Sequence, residues 1–176
     1  MSHLSIPVSE TDHAQGAADA PVTLVEYGDY QCPYCGAAYP VVKGVQAAMG
    51  GTLRFVFRNF PLAQMHEHAM LAAEAAEAAG AQSEQGFWRM HDWLYEHQDR
   101  LELPDILAHA KSLGLDVARL QQDVEAGTFR SRVGHDFRGG VRSGVNGTPT
   151  FFINGQRYDG EFDERSLVAA IRHSAR

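Results

Sequence analysis

The chain holds two cysteines, and they stand three positions apart in Cys32-Pro33-Tyr34-Cys35. Two thiols at that spacing are suited to the reversible making and breaking of a disulfide. If the segment opens a helix, positions i and i+3 share a face and their Cα atoms lie roughly 5–6 Å apart, inside the range a disulfide accepts. Pro33 fits the first helical position, where its missing N–H is not needed and its φ is already helical. Cys32 then stands at the helix entrance, where unpaired N–H groups and the positive end of the helix dipole favour a thiolate. Cys35, one turn deeper, is expected to be buried and to serve as the resolving thiol. Two other uses compete. Half a zinc site would need two more ligands, and the nearest, His66 and His68, have H-x-H spacing. A structural disulfide over so short a loop would add little stability. His91 and His97 read as packing or surface residues, as Phe87 and Trp88 read as core. We therefore expect a redox dithiol, no metal, and no cofactor beyond the Cys32–Cys35 pair itself.

The elements on either side explain how such a pair would be held. Val22–Tyr27 is short, apolar and β-branched, as a buried central strand should be. Gly28-Asp29-Tyr30-Gln31 turns it into a helix that runs to about Met49, with Cys35, Tyr39, Val42, Val45 and Met49 inward and Gly50-Gly51 as its stop. Pro40 falls inside it and is expected to bend the axis. Thr52–Phe60 alternates apolar and polar residues, a strand with one face buried. From Met65 to Ser143 the pattern is helical. Glu67–Ala79 is alanine-rich and closed by Gly80. The next helix shows an apolar face of Phe87, His91, Leu94 and Tyr95. Pro104–Leu113 is short, and another runs from Asp116 to Gly127 with Leu115 and Leu120 as a staple. The last carries Phe129, Val133, Phe137 and Val141 at four-residue intervals. Thr150–Ile153 and Gln156–Tyr158 flank Asn154-Gly155, a strong hairpin turn. Asp163 caps a terminal helix with Leu167 stapled to Phe162 and Val168 and Ile171 inward. Residues 1–21 read as a polar lead-in.

This order resembles the thioredoxin fold, and the helical block resembles the insertion of the DsbA-like family. The residues that carry the likeness are Leu24-Val25-Glu26-Tyr27 ahead of Cys32-Pro33-Tyr34-Cys35, the proline at 40, and Gly147-Thr148-Pro149-Thr150 ahead of the hairpin. Gly86-Phe87-Trp88 with Met90-His91-Asp92 is similar to the insertion helix of bacterial DsbA-like domains, some of which are fused to membrane transporters, and Asp12-His13 and Ala20-Pro21-Val22 are similar to the lead-in of that subgroup. The resemblance implies an α/β architecture, a mixed sheet flanked by helices, with residues 1–61 and 144–176 thioredoxin-like and 62–143 an inserted helical subdomain. It also implies that Pro149 is cis and faces the dithiol, leaving the Thr148 backbone free to take a substrate strand. Glu26 would be the family's buried acid, its pKa raised by desolvation, exchanging a proton with Cys35 through a water.

The implied activity is thiol–disulfide exchange with protein or peptide substrates. A non-catalytic peptide-binding or chaperone-like module, and a glutathione-dependent transferase or isomerase, are the alternatives. Pro33-Tyr34 tunes the pair. It is the dipeptide of many glutaredoxins, where typical DsbA enzymes have Pro-His, and the missing imidazole implies an intermediate reduction potential. Glutathione, a thioredoxin-type protein or a membrane protein would recycle the pair. With 15 basic and 22 acidic residues the net charge is −7, which argues against nucleic acid or anionic membrane as a primary partner. No apolar run approaches the length of about 18 that a spanning helix needs. No signal peptide is legible, so the expected location is the cytoplasm for a complete product and the periplasm for a trimmed one.

Overall fold

The computed structural model describes residues 1–176. Five strands form one sheet: β1 (His13–Gln15), β2 (Val22–Gly28), β3 (Leu53–Asn59), β4 (Thr150–Ile153) and β5 (Gln156–Tyr158). Their order is β1-β3-β2-β4-β5. β2 runs parallel to β3, with Val22 opposite Leu53, and antiparallel to β4, with Leu24 opposite Ile153. The strand that leads into the cysteines is thus the central one, paired on both edges. Helix α1 (Pro33–Met49) follows it, with a 3₁₀ turn at Gly50–Thr52 before β3. Helices α2 (Ala69–Gln82), α3 (Glu84–Glu96), α4 (Leu103–Ser112), α5 (Val117–Ala126) and α6 (Arg130–Arg142) all fall between β3 and β4, and α7 (Glu164–Ser174) ends the chain. No helix is long and apolar enough to cross a membrane.

Side chains alternate across a sheet, so the two faces collect different residues. Leu24, Phe55, Phe57, Phe151 and Ile153 point into the larger core with α1, α2, α3 and α7. Val25, Tyr27, Val56 and Phe152 point the other way, against Phe60 and Val145, and are covered by Phe137 of α6 and by Leu4 and Val8. Residues 1–21 are therefore more than a lead-in. Leu4 N–H donates to Gly155 O and Arg157 N–H to Ser2 O. The segment then crosses the second face, and His13–Gln15 pairs antiparallel with β3.

Three local expectations need correction, and one buried charge is not marked by residue type. Arg58, a polar position in the alternation of β3, is 3 % exposed, because the N-terminal strap covers that face. Its guanidinium donates to Asp12, to Ile6 O and Pro7 O, and to the Tyr27 hydroxyl at 2.8–3.2 Å. Gly80 does not end α2, which continues to Gln82. A Cβ at Gly80 would lie 3.1 Å from the His13 ring and 3.2 Å from Phe87, so the glycine serves close packing. In α6, Val141 is 54 % exposed while Gly139 and Gly140 are buried. A Cβ on Gly140 would meet Phe60 at 2.7 Å and Tyr27 at 3.0 Å, so the helix approaches the sheet through its glycines. Ala38 is buried in α1 where Tyr39 was expected to be, and Tyr39 is only half-buried.

The turn and cap chemistry follows the residue types. Asn154 and Gly155 both have positive φ, 48° and 81°, as a two-residue hairpin turn requires. Asp116 and Asp163 accept hydrogen bonds from Arg119 N–H and Ser166 N–H at the entrances of α5 and α7, and Gly127 closes α5 in the left-handed conformation.

Candidate active site

Cys32 is the N-cap residue of α1, with φ −67° and ψ 123°, and Pro33 takes the first turn. Three contacts hold it there. Its N–H donates to Asp29 O at 3.1 Å, its carbonyl accepts from Gly36 N–H at 3.0 Å, and Gln98 Nε2 donates to the Tyr30 and Cys32 carbonyls at 2.9 Å each. Both cysteines are thiols. Cys32 is 3 % exposed and Cys35 0 %, so an incoming sulfur reaches Cys32 first. Cys32 Sγ lies 3.6 Å from Thr148 O, and the Thr148–Pro149 peptide bond is cis. Tyr34, between the cysteines, is 76 % exposed.

The two sulfurs are pushed in opposite directions. The hydrogen bond from Cys35 lowers the Cys32 pKa to about 5 against the cost of burial, aided by the N–H groups of Cys35 and Tyr34. Burial raises Cys35 far above the ordinary thiol range, as do its bond to Cys32 and the Glu26 charge. Asp29 N–H, at 3.5 Å, is a donor to Cys35 Sγ.

Glu26 lies on β2 opposite Phe151 and is buried. Burial, and then the Cys32 charge, raise its pKa to about 8. Its Oε1 has no hydrogen-bond partner within the chain, and neither has the buried Thr148 Oγ1. The residues named from the sequence, Glu26, Cys32, Pro33, Tyr34, Cys35, Thr148 and Pro149, thus fall at the C-terminal end of β2, the first turn of α1 and the loop before β4.

Asp29 and Gln98 also belong to the site, and no motif or spacing marks either of them. Asp29 is buried. Its carboxylate accepts from Gln31 N–H at 2.8 Å, Leu62 N–H at 2.9 Å and His66 Nδ1 at 2.8 Å. It fastens the loop after β3 to the turn before Cys32. Three acceptor positions filled from two segments can be read only from coordinates. The histidines weighed as metal ligands have other partners: His66 has Asp29, the buried His91 has the Tyr30 hydroxyl at 2.9 Å, and His97 has Trp93 O at 2.9 Å. His68 lies 3.2 Å from Glu67.

A family model described as thioredoxin matches residues 8–173. The chain belongs to the thioredoxin family. Proteins of the DsbA type share its fold. BdbD of Bacillus subtilis, in its oxidised form, superposes with a TM-score of 0.88 at 26 % identity, over 99 % of this chain and 98 % of that one. A thioredoxin-like oxidoreductase of Silicibacter pomeroyi does so with a TM-score of 0.81 at 29 % identity, over 94 % and 93 %. In sequence the chain is 44 % identical over 169 residues to the Na(+)/H(+) antiporter NhaA 1 of Salinispora arenicola, across 96 % of this chain and 26 % of that protein. It spans about a quarter of the length of the curated relatives it matches. Within the thioredoxin family this chain has the DsbA-like arrangement, with five helices between β3 and β4.

Proposed function

We propose that the chain is a thiol–disulfide oxidoreductase acting on protein or peptide substrates, with Cys32 as nucleophile and Cys35 as resolving thiol. The observation that carries this is the asymmetry of the pair: Cys32 caps α1 beside the Thr148 carbonyl, while Cys35 lies fully buried one turn deeper, and the hydrogen bond from Cys35 lowers the Cys32 pKa to about 5. A thiolate at neutral pH is both a good nucleophile and a good leaving group. In the reducing direction the Cys32 thiolate attacks a substrate disulfide and expels one substrate sulfur as a thiolate. Cys35, after losing its proton, attacks Cys32 Sγ, closes the Cys32–Cys35 disulfide and releases the second substrate thiolate. The oxidising direction runs the same steps backwards from the disulfide.

Glu26 is the group we assign to the Cys35 proton. Thr148 supplies the docking edge. Its N–H has no partner within the chain, so an extended substrate segment could pair with it beside Cys32. Cys35→Ala tests the roles. A mixed disulfide on Cys32 should accumulate with a disulfide-bonded peptide, seen as a mass adduct, and Cys32→Ala should form none. Adducts that resolve as fast in Cys35→Ala as in the parent chain would overturn the assignment.

Direction depends on potential. Dithiols of this fold span about −270 to −120 mV. With Tyr34 where DsbA enzymes carry histidine, we place this pair between those limits, and equilibration with glutathione buffers measures it. The antiporter relatives make a membrane transporter a natural neighbour, as substrate or recycling partner. The same potential bears on compartment, since an oxidising pair belongs outside a reducing cytoplasm.

A further inference from the structure

Two buried polar atoms at the C-terminal end of β2 have no hydrogen-bond partner within the chain, and the exchange steps described so far use only one. The first is Glu26 Oε1. The second is the hydroxyl of Tyr95, near the end of α3, which is fully shielded and has no hydrogen-bond partner within the chain. Gly28 shows where that hydroxyl sits. It lies two residues beyond Glu26 on the same face of β2, and a Cβ there would come within 2.6 Å of the Tyr95 hydroxyl and 2.6 Å of the Phe57 ring. The next residue, Asp29, gives its N–H to Cys35 Sγ. The Tyr95 hydroxyl, the Glu26 carboxyl and the Cys35 sulfur thus converge on the C-terminal end of β2. The Tyr95 ring is fixed by Tyr30, Tyr39, Phe57 and His91, at centroid distances of 4.8–6.2 Å.

Buried polar atoms without partners are uncommon, and two of them at the same end of one strand mark a place for a bound water. We infer that Tyr95 is a positioning residue for proton transfer: its hydroxyl donates to a water held between it, Glu26 and Cys35, and so favours Glu26 as carboxylate. The inference rests on the exchange reading above. In the resolving step the Cys35 proton passes through that water to Glu26. The Cys35 thiolate then attacks Cys32 Sγ, the Cys32–Cys35 bond forms, the bond to the substrate breaks, and the substrate sulfur leaves with the electron pair. Two electrons pass from the dithiol to the substrate disulfide. The helical block thereby contributes a group to the chemistry of the sheet.

Removing an orphaned buried hydroxyl should leave stability unchanged or raise it, so a purely structural Tyr95 predicts a Tyr95→Phe protein that works normally. Our inference predicts otherwise. With one donor gone, Glu26 holds its proton more tightly, and a shift of one pH unit lowers the carboxylate fraction about tenfold below its pKa.

The test is a rapid-mixing experiment. The dithiol protein meets a disulfide-bonded peptide, the reaction is quenched with acid, and the Cys32 adduct is followed across neutral to alkaline pH. Groups facing Glu26 and Tyr95 that bear on the profile are Cys32, Cys35 and Tyr39 of α1, Asp29 and Tyr30 of the preceding turn, His91 of α3, and Thr148 before β4. Tyr95→Phe should resolve the adduct about tenfold more slowly at pH 7, with its profile displaced upward by about one pH unit. In a Glu26→Gln background the same change should have no further effect, since Tyr95 acts through Glu26. Resolution by Tyr95→Phe at the parent rate, or equal slowing with and without Glu26, would sink the inference. A parent chain that forms no adduct at all would instead overturn the exchange reading.

Discussion

Cys32 and Glu26 titrate in opposite senses, and the linkage between proton binding and folding makes both visible. Cys32 has a folded pKa of about 5 against an ordinary value of 9. Its contribution to the stability of the dithiol form is complete above about pH 9 and is lost as pH falls toward 5. Glu26 has a folded pKa of about 8 against an ordinary 4.5. Its contribution is complete below about pH 4.5 and is lost as pH rises through 8. From about pH 5 to 8 the two slopes oppose each other in the dithiol form. In the disulfide form Cys32 no longer titrates and only the Glu26 slope is left. The stability of the dithiol relative to the disulfide should therefore rise across that window, measurable as diverging urea midpoints of the two forms. Glu26→Gln should flatten the pH dependence of the disulfide form. The same ionisation governs the potential. Above about pH 5, reducing the disulfide takes up two electrons and one proton at sulfur, so in a Glu26→Gln background, where no carboxyl is coupled to the Cys32 charge, the potential should fall by about 30 mV per pH unit, half the slope of a pair protonated on both sulfurs. A slope near 60 mV throughout would mean that Cys32 is an ordinary thiol. The cysteines were legible by their spacing, while Glu26 and Pro149 were legible only through the family resemblance. Asp29, Tyr95 and Gln98 were not. They reach the site from a turn, a distant helix and a loop, and nothing in their local sequence fixes where those segments dock.

At the level of elements, the N-terminal strap and α6 departed furthest from their sequence patterns, and they do so together. β3 alternates as if one face were open, but the strap buries Arg58 and supplies its partner. Burial alone would raise the Asp12 carboxyl, but its bonds to Arg58 and to Ser9 N–H outweigh this and hold it below its usual value. Its contribution is present above the usual carboxylate range and is lost as pH falls through the depressed pKa. Asp12→Ala would leave a buried guanidinium with only neutral acceptors, and should cost about 3 kcal/mol in urea unfolding with an unchanged m-value. In α6 a four-residue apolar stripe suggested Val141 as a contact, whereas the glycines beside it make the approach. Gly140→Ala gains helix propensity of about 1 kcal/mol but forces a methyl into Phe60 and Tyr27. We expect a net loss of about 1–2 kcal/mol, read as a lowered thermal midpoint. Glycine's contribution here is the absence of a side chain, which a hydrophobicity pattern does not register.

Across the whole molecule, buried charge ties the strap to the helices. His13 of β1 stacks on Phe87 with ring centroids 3.5 Å apart, and its nitrogens meet Glu77 of α2 at 2.8 Å and Glu84 of α3 at 3.0 Å. Burial opposes the charged ring, but Glu77 and Glu84 raise its pKa on balance. Its contribution is therefore complete below an ordinary histidine's range and fades as pH rises through the raised value. His13→Ala should weaken the parent at mildly acid pH more than at alkaline pH, checked by thermal melts at both. Glu77 also meets Asn59 Nδ2 at 2.8 Å and Arg132 at 2.8 Å. Residues 2–4 lie along β5, one margin of the sheet, and residues 13–15 form β1 at the other. A single segment thus closes both margins where backbone groups would otherwise invite a second molecule. Its detachment would uncover two adhesive borders at once, one on each side, which is the geometry for open-ended fibrous association. A chain shortened by its first 15 residues should scatter light and elute as large assemblies, while the full chain elutes at lower mass.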